Sequence, residues 1–518
     1  MAYLLAIDAG TGSCRAALFT EAGAEVAAAG TGWAEVTRLD DRSDETAAAG
    51  LDLDRAWKLL AATIREALGR SGVHPAEVRA VSAASLRGGF VLMDAAGREL
   101  WSCGSTAPRV AEEVRRIRGD DLGFERRAYE RSGQTLAMAA IPRLLWLEKH
   151  APHAYERAAA LLMLSDWIAA RLTGEVAAAI SNACTTGLVS LRDRAWDPTL
   201  ADRWRVRSDL FSPLVEAGTV VGSVSGRAAA ETGLAPGTPV VAAGGDAQVA
   251  ALGLGSAGAD HVAVVGGSFW QQIVTLAEAR TDPSMRVRVN CHVLPDRWEA
   301  ETIAFHPGAT VAWFARAFGP RDEPDQAGAL RRLTEAARRV PPGSHGVIAI
   351  FSNAMDYADW RHAAPSFLNL PLDQGPAIPA VLFRSFLEST AVVTRENLRR
   401  IRSFSGAEPA EVVFGGKAAG NELWARILAD TLQLPVRIPR VTEATALGAA
   451  VCAGAGVGVF DRLAEGARQF AHHDRVVEPD PGAAAAYDEL AGRWAAAYPP
   501  QLQLADRGVT TPLWSAPG

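Results

Sequence analysis

Two glycine-tipped hairpin patterns, half a chain apart, limit most what this sequence can fold into. The first runs through Tyr3-Leu4-Leu5-Ala6-Ile7-Asp8, an apolar stretch ending in an acid. Ala9-Gly10-Thr11-Gly12-Ser13 then turns the chain, and Arg15-Ala16-Ala17-Leu18-Phe19 returns it. The second runs Asp260-His261-Val262-Ala263-Val264-Val265, turns at Gly266-Gly267-Ser268, and returns over Trp270–Leu276. Gly10 and Gly266 lie 256 residues apart (266 − 10) in a chain of 518. A repeat at half the chain length implies two halves of related design facing each other. The boundary is expected near Ser256 to Asp260, giving lobes at 1–256 and 257–518.

The intervening segments alternate strand, turn and helix. Apolar positions Ala56, Leu59, Leu60, Ile64, Ala67 and Leu68 predict a helix over Leu53–Ser71 that Gly72 stops. Val78–Ser82 and Glu411–Phe414 read as strands, Pro379–Phe404 as a central helix, and Asn421–Leu432 as a helix after a glycine turn. The expected class is therefore α/β, in two lobes. The stretch Pro479–Gly518 holds several prolines and is expected to wrap the C-terminal lobe.

Composition excludes some functions. Acids exceed bases, 59 against 52, and no long basic run occurs, which argues against a general nucleic-acid binder. The uncharged stretch Ala444–Phe460 is too short for the roughly 20 apolar residues that a membrane span needs. Five scattered cysteines without a C-x-x-C pair support neither a disulfide scaffold nor a zinc ribbon. A reducing cytoplasm is the expected location.

Several motifs carry chemistry, each with a plainer alternative. Gly10-Thr11-Gly12-Ser13, with Arg15 beyond, offers backbone N–H groups, hydroxyls and a cation for phosphate oxygens; it also suits an ordinary hairpin tip. Asp8 at a strand end suits Mg²⁺, which favours few carboxylates and several waters. Asp246 follows Gly244-Gly245 at a strand's C-terminal edge, where it can take a proton from a substrate hydroxyl or cap a helix. Arg87 suits polyol or carbonyl oxygens, or a surface ion pair. Gly415-Gly416-Lys417-Ala418-Ala419-Gly420 lets backbone approach a nucleotide but lacks P-loop spacing. Gly253-Leu254-Gly255-Ser256-Ala257-Gly258 matches G-x-G-x-x-G by letters alone and reads as a joining loop.

In order and spacing, these motifs together with Ser181-Asn182-Ala183-Cys184-Thr185-Thr186-Gly187 and Glu443-Ala444-Thr445-Ala446-Leu447-Gly448 resemble the FGGY family of carbohydrate kinases nearly end to end. Gly133-Gln134-Thr135, Ser165-Asp166-Trp167, Ser268-Phe269-Trp270-Gln271-Gln272 and the final Leu513-Trp514-Ser515-Ala516-Pro517-Gly518 resemble the branch that acts on autoinducer-2. The resemblance implies a two-lobed actin-like sugar-kinase fold with duplicated ribonuclease H-like domains. It implies ATP-dependent phosphorylation, with Mg²⁺, of the terminal hydroxyl of 4,5-dihydroxypentane-2,3-dione in quorum-sensing signal processing. A pentulose kinase is the alternative, and a chaperone-like or actin-like ATPase switch a remoter one.

By the same resemblance Asp246 is the general base and shares the metal with Asp8. Arg87, Gly88, Gln134, Asp246, Gln248 and Trp270 bind the acceptor. Thr11, Gly12, Ser13, Arg15, Gly267 and Ser268 bind phosphate, and Gly308, Gly416 and Gly420 approach the nucleotide. A regulatory phosphocarrier protein is an implied partner, membranes and nucleic acids are not, and a monomer or homodimer is expected. Two departures from the family pattern are visible. Ala107 stands where an acid is frequent, and Lys417 where a third glycine is usual.

Overall fold

A computed structural model describes residues 2–33, 51–104, 110–256, 258, 261–267, 269–305, 307–319, 325–351, 353–373, 375–512 and 514. Ala107, Ser268 and most of the expected 256–260 junction lie outside the described residues.

Each half is built around one large mixed sheet, with smaller two- and three-stranded sheets beside them. In the N-terminal half the strands are β1 (Tyr3–Ala9), β2 (Ser13–Thr20), β3 (Glu25–Gly32), β4 (Val78–Ser85), β5 (Val220–Ser223) and β6 (Pro239–Gly245). Their order is β5-β6-β4-β1-β2-β3. The C-terminal half has β7 (His261–Gly266), β8 (Trp270–Leu276), β9 (Arg288–Cys291), β10 (Trp298–Ala304), β11 (Glu411–Gly415), β12 (Val436–Pro439) and β13 (His473–Val477). Their order is β9-β10-β8-β7-β11-β12-β13.

The repeat extends beyond the hairpins. In both sheets the first strand pairs antiparallel with the second and parallel with the strand that follows a long helical excursion: β1 with β2 and β4, β7 with β8 and β11. A further parallel strand follows in each, β6 beside β4 and β12 beside β11.

Helix α1 (Leu53–Ser71) begins where the Asp52 side chain accepts from the Arg55 N–H at 3.0 Å, and it ends at Gly72 with φ +66°. Its buried face, including Trp57, Leu60 and Ile64, covers the first sheet. Helices α2 (Asp246–Gly253) and α3 (Pro307–Phe318) line the cleft, and α4 (Ile378–Ser405) runs through the C-terminal core. Beyond them are α5 (Glu422–Leu432), α6 (Ala444–Gly456) and α7 (Ala484–Asp506).

The uncharged Gly/Ala stretch proves to be α6, which joins the two halves. Leu447, Val451 and Cys452 pack with Leu4, Ala6, Val241 and Val249 from the other half. Alpha-2 and α6 cross backbone to backbone: a Cβ at Gly448 would overlap the Val249 carbonyl, and one at Gly253 the Ala444 carbonyl. No helix among the described residues is long and apolar enough to cross a membrane.

The C-terminal stretch, expected to wrap the C-terminal lobe, is largely helical. It forms the 23-residue α7 with Pro499 and Pro500 inside. Lost ladder bonds there are offset by packing of Tyr487, Trp494 and Tyr498 into the C-terminal core.

Candidate active site

Three neighbouring parallel strands of the first sheet, β1, β4 and β6, end at one level. Ala9 is level with Ser85, and Ser85 with Gly245. Asp8 lies one residue before that level, Arg87 two after it, and Asp246 one after it. The C-terminal strand edge is the place where α/β sheets gather ligands. Here it gathers two acids and a guanidinium from positions 8, 87 and 246.

Above this edge lies a cleft of about 780 Å³. Thr11, Gly12, Ser13 and Arg15 of the first hairpin line one wall. Gly267, Gly308, Gly416 and Lys417 line the other. The first tip is anchored from below, because the Trp33 indole Nε1 donates to the Gly10 carbonyl at 2.7 Å and Gly10 N–H donates to Ser13 O at 3.1 Å. Gly12 has open space where a side chain would stand. At Gly416 φ is +83° and a Cβ would strike the Gly266 carbonyl, so this turn can close on the second hairpin only as glycine. Gly420 does not line the cleft. Arg15 is not a lone cation: it pairs with Glu25 at 3.1 Å and Glu443 at 3.4 Å.

A smaller cavity of about 70 Å³ opens beside the first and shares Thr11, Asp246, Phe269 and Gln271 with it. Its far side is Leu86, Arg87, Met138, Arg288, Ile303, Phe305, Trp360 and Trp514. The aromatic wall is closely built. Phe305 lies stacked against Trp514 with ring centres 5.7 Å apart and edge-on to Trp360 at 5.7 Å.

Asp246 stands where the cavities meet. Its Oδ1 accepts from the Ala247 N–H at 2.8 Å and faces Arg87 Nε at 3.5 Å. Burial pushes its carboxyl above the usual range, while Arg87 pulls it back. Asp8 is pushed up to about 8, first by burial and then by the charges of Asp246 and Glu443. Its Oδ1 is buried with no hydrogen-bond partner. A surplus of carboxylates around an orphaned oxygen fits a divalent cation. Among the described residues no group of three or more His, Cys, Asp or Glu is placed to cage a metal, so the fit is to an ion that keeps waters and phosphate oxygens, as Mg²⁺ does.

Arg87 reaches across the lobes. Its two terminal nitrogens fork onto Glu301 of β10, Nη2 at 2.6 Å from Oε1. Both side chains are buried. Such a pair gives precise placement more than net stability, and removing one partner would strand the other charge.

Not every expected acceptor residue reaches the cavity wall. Gln134 is buried behind it, its Oε1 accepting from Arg288 Nε at 2.9 Å and from the Tyr357 hydroxyl at 3.1 Å. Gln248 is buried and donates to the Ser181 carbonyl at 2.6 Å. Gly88 bonds to Thr185 and, through its carbonyl, to Arg143. Trp270 lines the larger cleft instead, its ring 4.4 Å from that of Trp424.

The residues that sequence reasoning missed are Glu301, Arg288, Gln271, Phe305 and Trp360. One signal was available. Glu299 and Glu301 alternate with Ala300 and Thr302, as Arg288 and Asn290 alternate with Val289 and Cys291. Two paired strands that each present polar residues on one face, and are fully buried, mark a polar site beneath a sheet.

Comparison with known proteins gives the same organisation. Residues 3–253 match the N-terminal domain of the FGGY family of carbohydrate kinases, and residues 274–457 match its C-terminal domain. The chain is 44% identical to the autoinducer-2 kinase of Enterobacter sp. (strain 638) over 523 residues, covering 100% of this chain and 98% of that one. It is likewise 44% identical to the autoinducer-2 kinase of Escherichia coli (strain K12) over 521 residues, with the same coverage. Among solved structures, xylulose kinase from Rhodospirillum rubrum superposes with a TM-score of 0.81 at 24% identity, over 98% of this chain and 99% of that one. Plasmodium falciparum glycerol kinase with ADP gives 0.78 at 16% identity, over 96% and 98%. With the duplicated sheets, the facing glycine hairpins and full-length similarity in agreement, this chain belongs to the FGGY family of carbohydrate kinases.

Proposed function

We propose that this kinase transfers the γ-phosphoryl group of ATP to the terminal hydroxyl of 4,5-dihydroxypentane-2,3-dione, the autoinducer-2 skeleton in open-chain form. One observation carries the reading: a large glycine-walled cleft and a small aromatic cavity meet at a single carboxylate, Asp246. A nucleotide needs the first, a small acceptor the second, and phosphoryl transfer needs a base where they touch. The acceptor's identity is supported by similarity to autoinducer-2 kinases along the whole chain.

In this reading the backbone of Thr11-Gly12-Ser13 and Gly267 cradles the phosphates from opposite sides, with Gly308 and Gly416 against the nucleotide. Val311, Ala312, Leu330 and Trp424 supply the apolar end of the cleft, for the adenine. Asp246 accepts the acceptor's hydroxyl proton as its oxygen bonds to the γ-phosphorus. The bond from that phosphorus to the bridging oxygen breaks, and ADP leaves. Arg87, fixed by Glu301, keeps Asp246 oriented. Asp8, with Asp246 nearby, would hold Mg²⁺, which when bound neutralises charge on the phosphate oxygens. The aromatic wall excludes water from the acceptor side. All five cysteines are free and buried, which fits a reducing, ATP-supplied cytoplasm.

The test is Asp246→Asn, which keeps shape and removes proton acceptance. ADP release should fall by about 10²–10⁴ in kcat while ATP still binds. Near-normal turnover would leave Asp246 as a helix-end residue without a role in the chemistry.

A further inference from the structure

On the far side of the small cavity, the part not shared with the nucleotide cleft, the polar side chains are Arg87 and Arg288. Arg87 is committed: both terminal nitrogens bond to Glu301, and Nε faces Asp246 at 3.5 Å. Arg288 is 1% exposed, and only part of its donor set is used. Its Nε donates to Gln134 Oε1 at 2.9 Å, which fixes the guanidinium plane. Its Nη2 is buried with no hydrogen-bond partner. An unsatisfied guanidinium N–H in a buried cavity wall is costly unless a ligand supplies the acceptor.

The cavity's chemistry says which acceptor. At the mouth it offers Asp246, which takes a proton, with Thr11 and Gln271 beside it. At the far side it offers a spare donor among aromatic and aliphatic walls. A hydroxyl placed there has its oxygen satisfied by Arg288 but finds no acceptor for its own proton among Phe305, Trp360 and Trp514. A carbonyl has no proton to place.

We propose that Arg288 is an acceptor-binding residue whose guanidinium donates to a carbonyl oxygen of the substrate, so that the site selects oxo compounds over fully reduced polyols. This deepens the function proposed above and rests on it for the identity of the acceptor, though not for the contact itself. Gln134 is then a positioning residue that acts through Arg288.

The test uses matched pairs: the dione against the polyol in which both carbonyls are reduced, and D-xylulose against xylitol. Each is assayed by ADP release, or as a competitive inhibitor where it is not phosphorylated. Arg288→Met should lower kcat/KM for the carbonyl acceptor roughly tenfold to a hundredfold. The loss should fall mainly on KM, with the reduced partner changed less than about threefold and the KM for ATP unaltered. Arg288→Lys, which keeps a donor, should recover part of the loss. If thermal melting shows the Met variant unfolded, Arg288→Lys and Gln134→Met carry the test, each expected to raise KM for the carbonyl acceptor alone. Equal losses within a pair, or none, would overturn the proposal. A wild-type protein that phosphorylates D-xylulose but not the dione would sink the substrate assignment, while the Arg288 contact would still be read on D-xylulose and xylitol.

Discussion

Asp8's carboxyl is pushed up to about 8 because the cleft floor buries it and brings it near Asp246 and Glu443. Such perturbed groups cluster where chemistry is done, but burial alone also produces them. His292 is the opposite case, far from any role in transfer. It is fully buried, its Nδ1 accepts from the Leu294 N–H at 2.9 Å, and burial, then Arg194 and Arg297, lower its pKa from 6.5 to about 3. The folded state therefore binds fewer protons than the unfolded chain between those values. The neutral ring's contribution is complete above pH 6.5 and is lost as pH falls toward 3, by up to about 1.4 kcal/mol per pH unit. His292→Asn keeps an acceptor for the Leu294 N–H and removes the titration. Urea melts from pH 7 to pH 4 should show a shallower acid loss for the variant; parallel curves would mean that His292 does not titrate on unfolding. Legibility at this scale followed local context. Asp8 and Asp246 were readable because each ends an apolar run beside glycines. Glu301 was missed: the alternation of Glu299 and Glu301 along one strand was its only local cue, and its partner Arg87 is 214 residues away.

Elements with a clean period matched their expected ranges, as α1 and both hairpins show. Helix α7 was not expected as a helix, because Pro499 and Pro500 are local stop signals that tertiary packing overrides. Helix α6 was noticed in the sequence only as an uncharged stretch. Its small residues serve the crossing with α2, where Gly448 meets the Val249 backbone. Gly448→Ala must force those helices apart, and overpacking of this kind costs about 1–3 kcal/mol. Thermal melting should show a lowered Tm for Gly448→Ala and little change for Gly492→Ala, where open space surrounds an added Cβ. Equal Tm values for the two variants would mean that the crossing relaxes freely.

At the scale of the molecule, the duplication explains why one phosphate chain can be gripped from both sides: each half brings a glycine hairpin to the same cleft. The sequence showed the repeat, and the sheet orders extend it to five strands per half. Phosphoryl transfer requires both hairpins engaged and water excluded. Small-angle scattering with a non-hydrolysable ATP analogue, Mg²⁺ and the acceptor should show compaction that neither ligand produces alone. An unchanged radius of gyration would argue for a cleft already closed.

The acceptor itself is the central claim, and steady-state kinetics on the unmodified protein tests it most directly. With ATP and Mg²⁺ saturating, kcat/KM is measured by ADP release for 4,5-dihydroxypentane-2,3-dione, D-xylulose and D-ribulose. The far side of the small cavity has aromatic and aliphatic walls with no proton acceptor, so an extra hydroxyl placed there is left unpaired, which costs about 1–3 kcal/mol, or roughly tenfold to a hundredfold. The dione should therefore exceed both pentuloses by at least about tenfold. A pentulose with the higher kcat/KM would contradict the account and make this a pentulose kinase.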